Sequence, residues 1–353
     1  MTAFCALFAD VGKEEIPIVI SDVLVTSRGL PPTNGRYEKA YLPTIGGVFP
    51  HVSSEATISG LIQKLSLLPG GHCLAVAGDL SPILDFHAQL IQQSHDFDKM
   101  YRVCQAFSET VSFTLLVNDT ARSRRVTIAS ESCRHLRSGQ YELSIVGGSG
   151  ESTLRRLLLK QKELSIRGTS DLGELSRAFF LVSEALDLDS KDPTQTLEKS
   201  FGGYYEIATY DGEKFIKFDR VAYHYVRLDI IDGENLWVLH KSIYHEYVND
   251  DLIVRRVVWT REGVDGPVWQ DCYAIGSFEK PADLRRAKAH IDDTVPTTEW
   301  EVLCFEIGAL KFRTVSSRRN LVNLLKRGNR WFHETDAALL DEYVRLMQQS
   351  FVG

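Results

Sequence analysis

Two runs decide how this chain is read: MTAFCALFAD at residues 1–10 and IPIVISD at residues 16–22. Residues 3–9 are apolar throughout and residues 16–21 nearly so, and DVGKEE, with Gly12 inside it, joins them. An antiparallel hairpin is predicted. Successive side chains of a strand point to opposite faces, so apolar residues in both sets mean that both faces are covered. The second residue is Thr2, small enough for removal of Met1 to be expected. That removal would leave a hydroxyl and a free amine on adjacent carbons at the start of a buried strand, a pair that can act as nucleophile and base.

The chain has 353 residues, 44% hydrophobic and 25% charged, with a net charge of −7. That length suggests one large domain or two smaller ones, with ample apolar surface for a core. The mild acidity argues against nucleic acid or an anionic membrane as partner. The six cysteines (Cys5, Cys73, Cys104, Cys133, Cys272, Cys304) are scattered without a CxxC pair. They read as reduced, packed thiols of a cytoplasmic protein, with no structural zinc. No basic leader precedes a long apolar segment, and no stretch approaches the length that spans a membrane.

Beyond the hairpin, residues 28–51 are rich in proline and glycine and are expected to form a long loop or insertion. EATISGLIQKLSL includes a helical apolar pattern that Gly60 weakens. HCLAVAG reads as a buried strand, followed by helices over LSPILDFHAQLIQQ and DKMYRVCQAFSE. VSFTLLVND, RRVTIAS and YELSIVGGSG read as strands, STLRRLLLKQK and residues 171–186 as helices, and SFGGYYEIATYDGEKFIKFD as a hairpin with a D-G turn. Strands grouped between paired helices predict an α+β chain whose first part, residues 1–230, is a four-layer αββα sandwich of two antiparallel sheets flanked by helices. Residues 231–353 are expected to form a C-terminal α+β extension. It continues with strands (NLWVLHKSIYHEYV, LIVRRVVWT, VWQDCYAIGSF, WEVLCFEIG, ALKFRTV) and ends in helical stretches near 316–327 and 335–350.

The order of these elements and their short motifs resemble the N-terminal-nucleophile hydrolases, most closely the proteasome β-subunit type, over roughly residues 2–215. The motifs that carry the resemblance are Thr2 before AFCALFAD, Asp22 closing IPIVISD, Lys64 and Gly78 in QKLSLLPGGHCLAVAGD, Ser149 in IVGGSGESTLRRLL, and the Gly-Gly strand of EKSFGGYYEIA. The chain departs from the pattern in three places. Asp22 and Lys64 lie 42 residues apart, so that an insertion is implied and Lys39 in GRYEKAY competes with Lys64. Glu198 and Phe201 stand where an acidic residue and a serine are expected. Residues 231–353 have no counterpart.

The resemblance implies a threonine peptidase or amidase that needs no cofactor and no metal. The α-amine of Thr2, with an ordinary pKa of about 7.7–8.0, would take the proton of its own hydroxyl, which is why Met1 must leave. Lys64 would lower the amine or hydroxyl pKa by repulsion, and Asp22 would hold and balance Lys64. The N–H of Gly78 would receive the oxyanion, and Ser149 would hydrogen-bond the amine or a nearby water. The partner is then a peptide or amide substrate. Residues 231–353 would carry contacts to a partner protein or to a second copy of the chain. The alternative is a non-catalytic scaffold or binding subunit of the same fold, acting through residues 231–353.

Other constellations are weaker. His240, His245 and Glu246 in LHKSIYHEY are of metal-ligating type, but strand alternation sends His240 and His245 to opposite faces. The cations Arg318, Arg319, Lys326, Arg327 and Arg330, with Trp331, read as a solvated helix face rather than a phosphate site.

Overall fold

The structure, a computed structural model, describes residues 3–11, 14–27, 57–119, 124–138, 141–164, 173–191, 201–231, 234–259, 267–307, 310–316, 321–327 and 330–352. The chain opens with β1 (Ala3–Val11), β2 (Glu14–Asp22), β3 (Leu24–Ser27), β4 (Thr57–Leu61), β5 (Leu65–Leu68) and β6 (His72–Ala77). Then come α1 (Leu80–Gln93), α2 (Phe97–Phe107), β7 (Ser112–Asp119), β8 (Arg124–Ala129), β9 (Arg134–Ser138) and β10 (Tyr141–Gly148). α3 (Glu151–Leu164), α4 (Gly173–Lys191), β11 (Tyr205–Tyr210) and β12 (Phe215–Lys217) follow. The rest holds β13 (Val221–Ile231), β14 (Glu234–Val248), β15 (Asp251–Trp259), β16 (Pro267–Ile275), α5 (Leu284–Asp293), β17 (Trp300–Ile307) and β18 (Leu310–Ser316). It closes with β19 (Val322–Arg327), β20 (Arg330–Thr335) and α6 (Ala337–Val352). Among the described residues this is a mixed α+β fold with six helices.

The predicted hairpin is present: β1 and β2 pair antiparallel from Phe4↔Ser21 to Val11↔Glu14. They lie at the centre of a six-stranded sheet ordered β12-β11-β2-β1-β10-β9. Their alternation shows why the run had to be apolar on both sides. Ala3, Cys5 and Leu7 share a core with Leu154 and Leu158 of α3 and Phe179 and Val182 of α4. Phe4, Ala6 and Phe8 share another with Leu65, Cys73, Ala75 and Leu116 of a four-stranded sheet, ordered β5-β6-β7-β8. On that sheet's other face Leu74, Val76, Phe113 and Leu115 pack with Ile83 and Phe86 of α1 and Met100 of α2.

A second six-stranded sheet, β16-β15-β14-β13-β17-β18, includes one parallel pair, β13 with β17. Residue 230 lies at the end of β13, which pairs with β14 and β17. One face of this sheet enters the core of α3 and α4 through Tyr223, Tyr225, Ile243, Val254, Ile275, Val302 and Cys304. Phe179 of α4 stacks near Trp300 and meets Phe218 edge-on. The other face packs Val226, Leu303 and Phe305 with Leu324 of β19 and Leu339 of α6.

Two expected helices are strands. In place of the helix expected over EATISGLIQKLSL, residues 57–61 form β4 and residues 65–68 form β5, because Thr57 and Ile58 pair with Ser27 and Thr26, and Leu65 and Leu68 pair with Ala75 and His72. The stretch near 316–327 ends β18 and forms β19, which pairs with β20 from Val322↔Thr335 to Arg327↔Arg330. Lys326, Arg327, Arg330 and Trp331 therefore lie on a hairpin, not on a helix face, and Arg318 and Arg319 fall outside the described residues. The expected insertion of 28–51 also falls outside them. β9 has a polar sequence, while α5 is mostly polar but carries Leu284, Ala287 and Ile291 at helical spacing, of which Ala287 and Ile291 are buried. α5 is fixed at its start by Asp283, whose side chain accepts from the Arg286 N–H at 3.1 Å.

Charged side chains also sit where the second six-stranded sheet meets α4. Lys241 is 5% exposed, with its ammonium 3.9 Å from the centre of the Tyr225 ring, 3.2 Å from Ser190 Oγ and 3.8 Å from Asp187 Oδ1. Burial, only partly opposed by Asp187, pulls its pKa down from 10.5 to about 8. The unfolded chain therefore binds more protons between those values, and stability rises with pH there. Below pH 8 the folded state carries a penalty on the order of 3 kcal/mol at this residue. Lys241→Met, with Lys191 still 3.2 Å from Asp187, is expected to raise unfolding stability at pH 7 by about 1–3 kcal/mol. In urea titrations at pH 7, 9 and 10.5 the gain should shrink towards zero at the highest pH.

Candidate functional site

Asp22, the last residue of β2, is fully buried at the end of the first sheet. Its Oδ1 accepts the backbone N–H of Ala3 at 3.2 Å and the Lys64 ammonium at 3.1 Å, and its Oδ2 accepts the N–H of Gly202 at 2.7 Å. The Ala3 N–H belongs to the peptide bond that joins Thr2 to Ala3. Lys64 is 4% exposed and also donates to the carbonyl of Leu24. It lies in the three residues between β4 and β5, where the Ile62 N–H donates to Val23 O at 2.8 Å. Burial drives the Asp22 carboxyl up and the Lys64 ammonium down, in each case against the attraction of the other. The hydrogen bonds from Gly202 and Ala3 act with Lys64 in favour of the ionised carboxylate, against that burial.

The turn after β10 comes to the same place. Gly148 stands opposite Ala3 in the β1–β10 register, and Ser149 follows it. Gly148 has φ +85°, a backbone conformation that glycine adopts without strain. Gly150 leaves no space for a side chain, since an added Cβ would lie 2.4 Å from Ala3 Cβ and 2.8 Å from the Phe201 ring. Phe201, fully buried, thus packs where the resemblance expects a serine. Next to it Gly202 and Gly203 have φ +115° and +81°, and Asp189 Oδ2 accepts the Gly203 N–H at 2.9 Å.

Among the sequence-predicted residues, then, Asp22 and Lys64 are in direct contact and Ser149 adjoins the residue opposite Ala3. Gly78 directly follows β6, with φ +137°, three residues beyond Ala75, whose register partner Leu65 adjoins Lys64. Thr2, Lys39 and Glu198 lie outside the described residues.

Sequence reasoning missed Asp189, Glu206, Lys217 and Gln63. Glu206 is fully buried, and its Oε1 accepts from Lys217 Nζ at 2.6 Å and from Tyr247 OH at 2.9 Å. A glutamate inside the apolar strand YYEIA is a legible signal, because a buried charge needs partners.

The His240–His245–Glu246 group is used otherwise. His245 Nε2 faces the carbonyl of Phe218 at 2.9 Å and must donate to it, so Nδ1 accepts from Tyr204 OH. Burial pushes His245 down to about 4, so it is neutral. Glu246 pairs with Arg255 at 2.9 Å and His290 at 3.0 Å. A bulge on β14, where Tyr225↔Lys241 steps to Val226↔Leu239, falls at His240 and interrupts the simple alternation. Among the described residues no three His, Cys, Asp or Glu side chains gather as metal ligands, and no helix is long and apolar enough to cross a membrane.

Removing one partner of a buried ion pair leaves the other uncompensated. Asp22→Asn is expected to lower stability by about 3–5 kcal/mol. The double variant Asp22→Asn/Lys64→Met should recover part of that loss, and denaturant unfolding of both variants at pH 7 measures it.

No protein-family model matches the chain, and no curated protein matches it. Among solved structures it aligns with eukaryotic HslV from Trypanosoma brucei at 10% identity. The alignment covers 59% of this chain and 98% of that one, with a TM-score of 0.34. At that score the likeness carries no argument about fold or chemistry.

Proposed function

We propose that the protein is a threonine N-terminal-nucleophile amide hydrolase, a proteasome-like peptidase that becomes active when Met1 is removed. The observation that carries this reading is the double use of Asp22 Oδ1, which takes both the Lys64 ammonium and the N–H of the Thr2–Ala3 peptide bond. A buried cation is thereby held beside the residue bonded to Thr2. The contacts of α3 and α4 with one side of the first sheet, and of the four-stranded sheet with its other side, support the αββα layering. The hydrolase part would be residues 1–230, followed by an α+β part over 231–353.

In the proposed reaction the Thr2 hydroxyl oxygen adds to an amide carbonyl while its proton passes to the Thr2 α-amine. The oxyanion is received by the Gly78 N–H. Collapse breaks the C–N bond, and the protonated amine gives its proton to the leaving nitrogen. The acyl ester left on Thr2 is then hydrolysed by water. Lys64 keeps the amine deprotonated by like-charge repulsion, Asp22 fixes Lys64, and Ser149 holds the amine or the water.

Phe201 favours a second reading, a scaffold of the same fold that acts through residues 231–353 on a partner protein or a second copy. It fills with an aromatic ring the place where the resemblance expects a hydroxyl. Intact-mass measurement of the native protein is expected to find Thr2 first, and a threonine-directed electrophile to add one equivalent there. Thr2→Ala should abolish that addition and lower amide hydrolysis by at least roughly a thousandfold. Retention of Met1, or a native protein that neither adds the electrophile nor hydrolyses amides, would select the scaffold.

A further inference from the structure

We infer that Gln63 is a positioning residue through which the second six-stranded sheet holds Lys64 in place, so that residues 231–353 complete the candidate site and do not merely adjoin it. The inference rests on the proposed Thr2 chemistry for its catalytic meaning.

Gln63 precedes Lys64 and is itself buried. Its backbone N–H donates to Gly276 O at 2.9 Å. Its side-chain Nε2 donates to Asp250 O and to Ile275 O, each at 2.7 Å, and its Oε1 accepts from Lys217 Nζ at 2.8 Å. Two carbonyls can only accept and an ammonium can only donate, so these partners fix which way the amide points. Three of the four bonds end on the second sheet, at the β14–β15 turn and just where β16 stops. Both acceptor segments have tight local geometry. Asn249 and Asp250 take positive φ (52° and 71°) in a tight hairpin turn, and Gly276 leaves no room for a side chain, its added Cβ lying 2.4 Å from Ala282 N.

The residue after Lys64 is tied as well. The Leu65 N–H donates to Glu206 Oε2 at 3.4 Å, while Glu206 Oε1 receives Lys217 and the hydroxyl of Tyr247 from β14. Lys64 therefore stands between two anchored neighbours. A flexible four-carbon side chain delivers its charge to one place only if its backbone is held, and part of the holding comes from the second sheet.

Gln63→Met keeps the length of the side chain and loses every hydrogen bond it makes. Gln63→Glu keeps its shape but turns an oxygen on two carbonyls. The full chain, with either change, is to be followed by peptide-level hydrogen exchange over residues 61–68 and by the pH profile of Thr2 labelling with a threonine-directed electrophile. In both variants exchange at 61–68 should quicken at least tenfold while α1 and β13 are unaffected. Labelling should slow at least tenfold, with its midpoint moved to higher pH as the cation drifts from the amine. Unchanged labelling rate and midpoint would overturn the inference. If the unaltered protein is not labelled at all, the Thr2 reading fails. Exchange then decides alone: quickening confined to 61–68 supports the brace, and unchanged exchange refutes it. Should both variants fail to fold, Tyr247→Phe, which removes one hydroxyl from Glu206, should slow labelling two- to fivefold, and no change would refute the brace.

Discussion

A carboxylate and an ammonium taken out of water together make up the constraint on which the first part of the structure is organised. Asp22 and Lys64 each lose their hydration, and their mutual attraction offsets that loss only when the remaining oxygens and N–H groups find partners. Those partners come from separate places along the chain: the first residue of β1, the carbonyl of Leu24, and the Gly-Gly turn before β11. A set of this kind is stable when complete and strongly unfavourable when one member is missing. The pair therefore fixes the positions of four backbone segments relative to one another.

Close backbone approach makes that convergence possible. Gly150 lets the turn after β10 rest on Ala3 and Phe201, and Gly202, with positive φ, presents its N–H to Asp22 beside the Asp189 carboxylate. A Cβ at Gly150 would collide with Ala3 and the Phe201 ring, and one at Gly202 would meet the Asp189 carboxylate in a backbone conformation that side chains rarely adopt. Packing and electrostatics constrain the same few ångströms. The Phe201 ring, fully buried, adds apolar surface to this corner.

Much of the first part was legible because its cues are local. β1 and β2 announce themselves by apolar residues at both parities, whereas Asp22 was singled out only through the family resemblance. Ile58, Leu61, Ile62 and Leu65 were misleading, since their spacing suits a helical stripe as well as two short strands. Leu321, Leu324 and Leu325 misled in the same way, although Gly-Asn at 328–329 marked a hairpin. Lys64 was found through a family resemblance, not from its own neighbourhood. Gln63 carried no sequence signal: the carbonyls it binds lie 187 and 212 residues further on. Backbone acceptors are identical at every position, so nothing in the local sequence distinguishes those two.

The reach of that glutamine bears on the order of events during synthesis. A ribosome releases the N-terminal strands first, and domains fold as they emerge. Yet the carbonyls of Asp250, Ile275 and Gly276 do not exist until some four-fifths of the chain has been made. The first sheet can form early, but Gln63 has no acceptors on the second six-stranded sheet until residues 250–276 have been made, so the segment beside Lys64 gains that brace late.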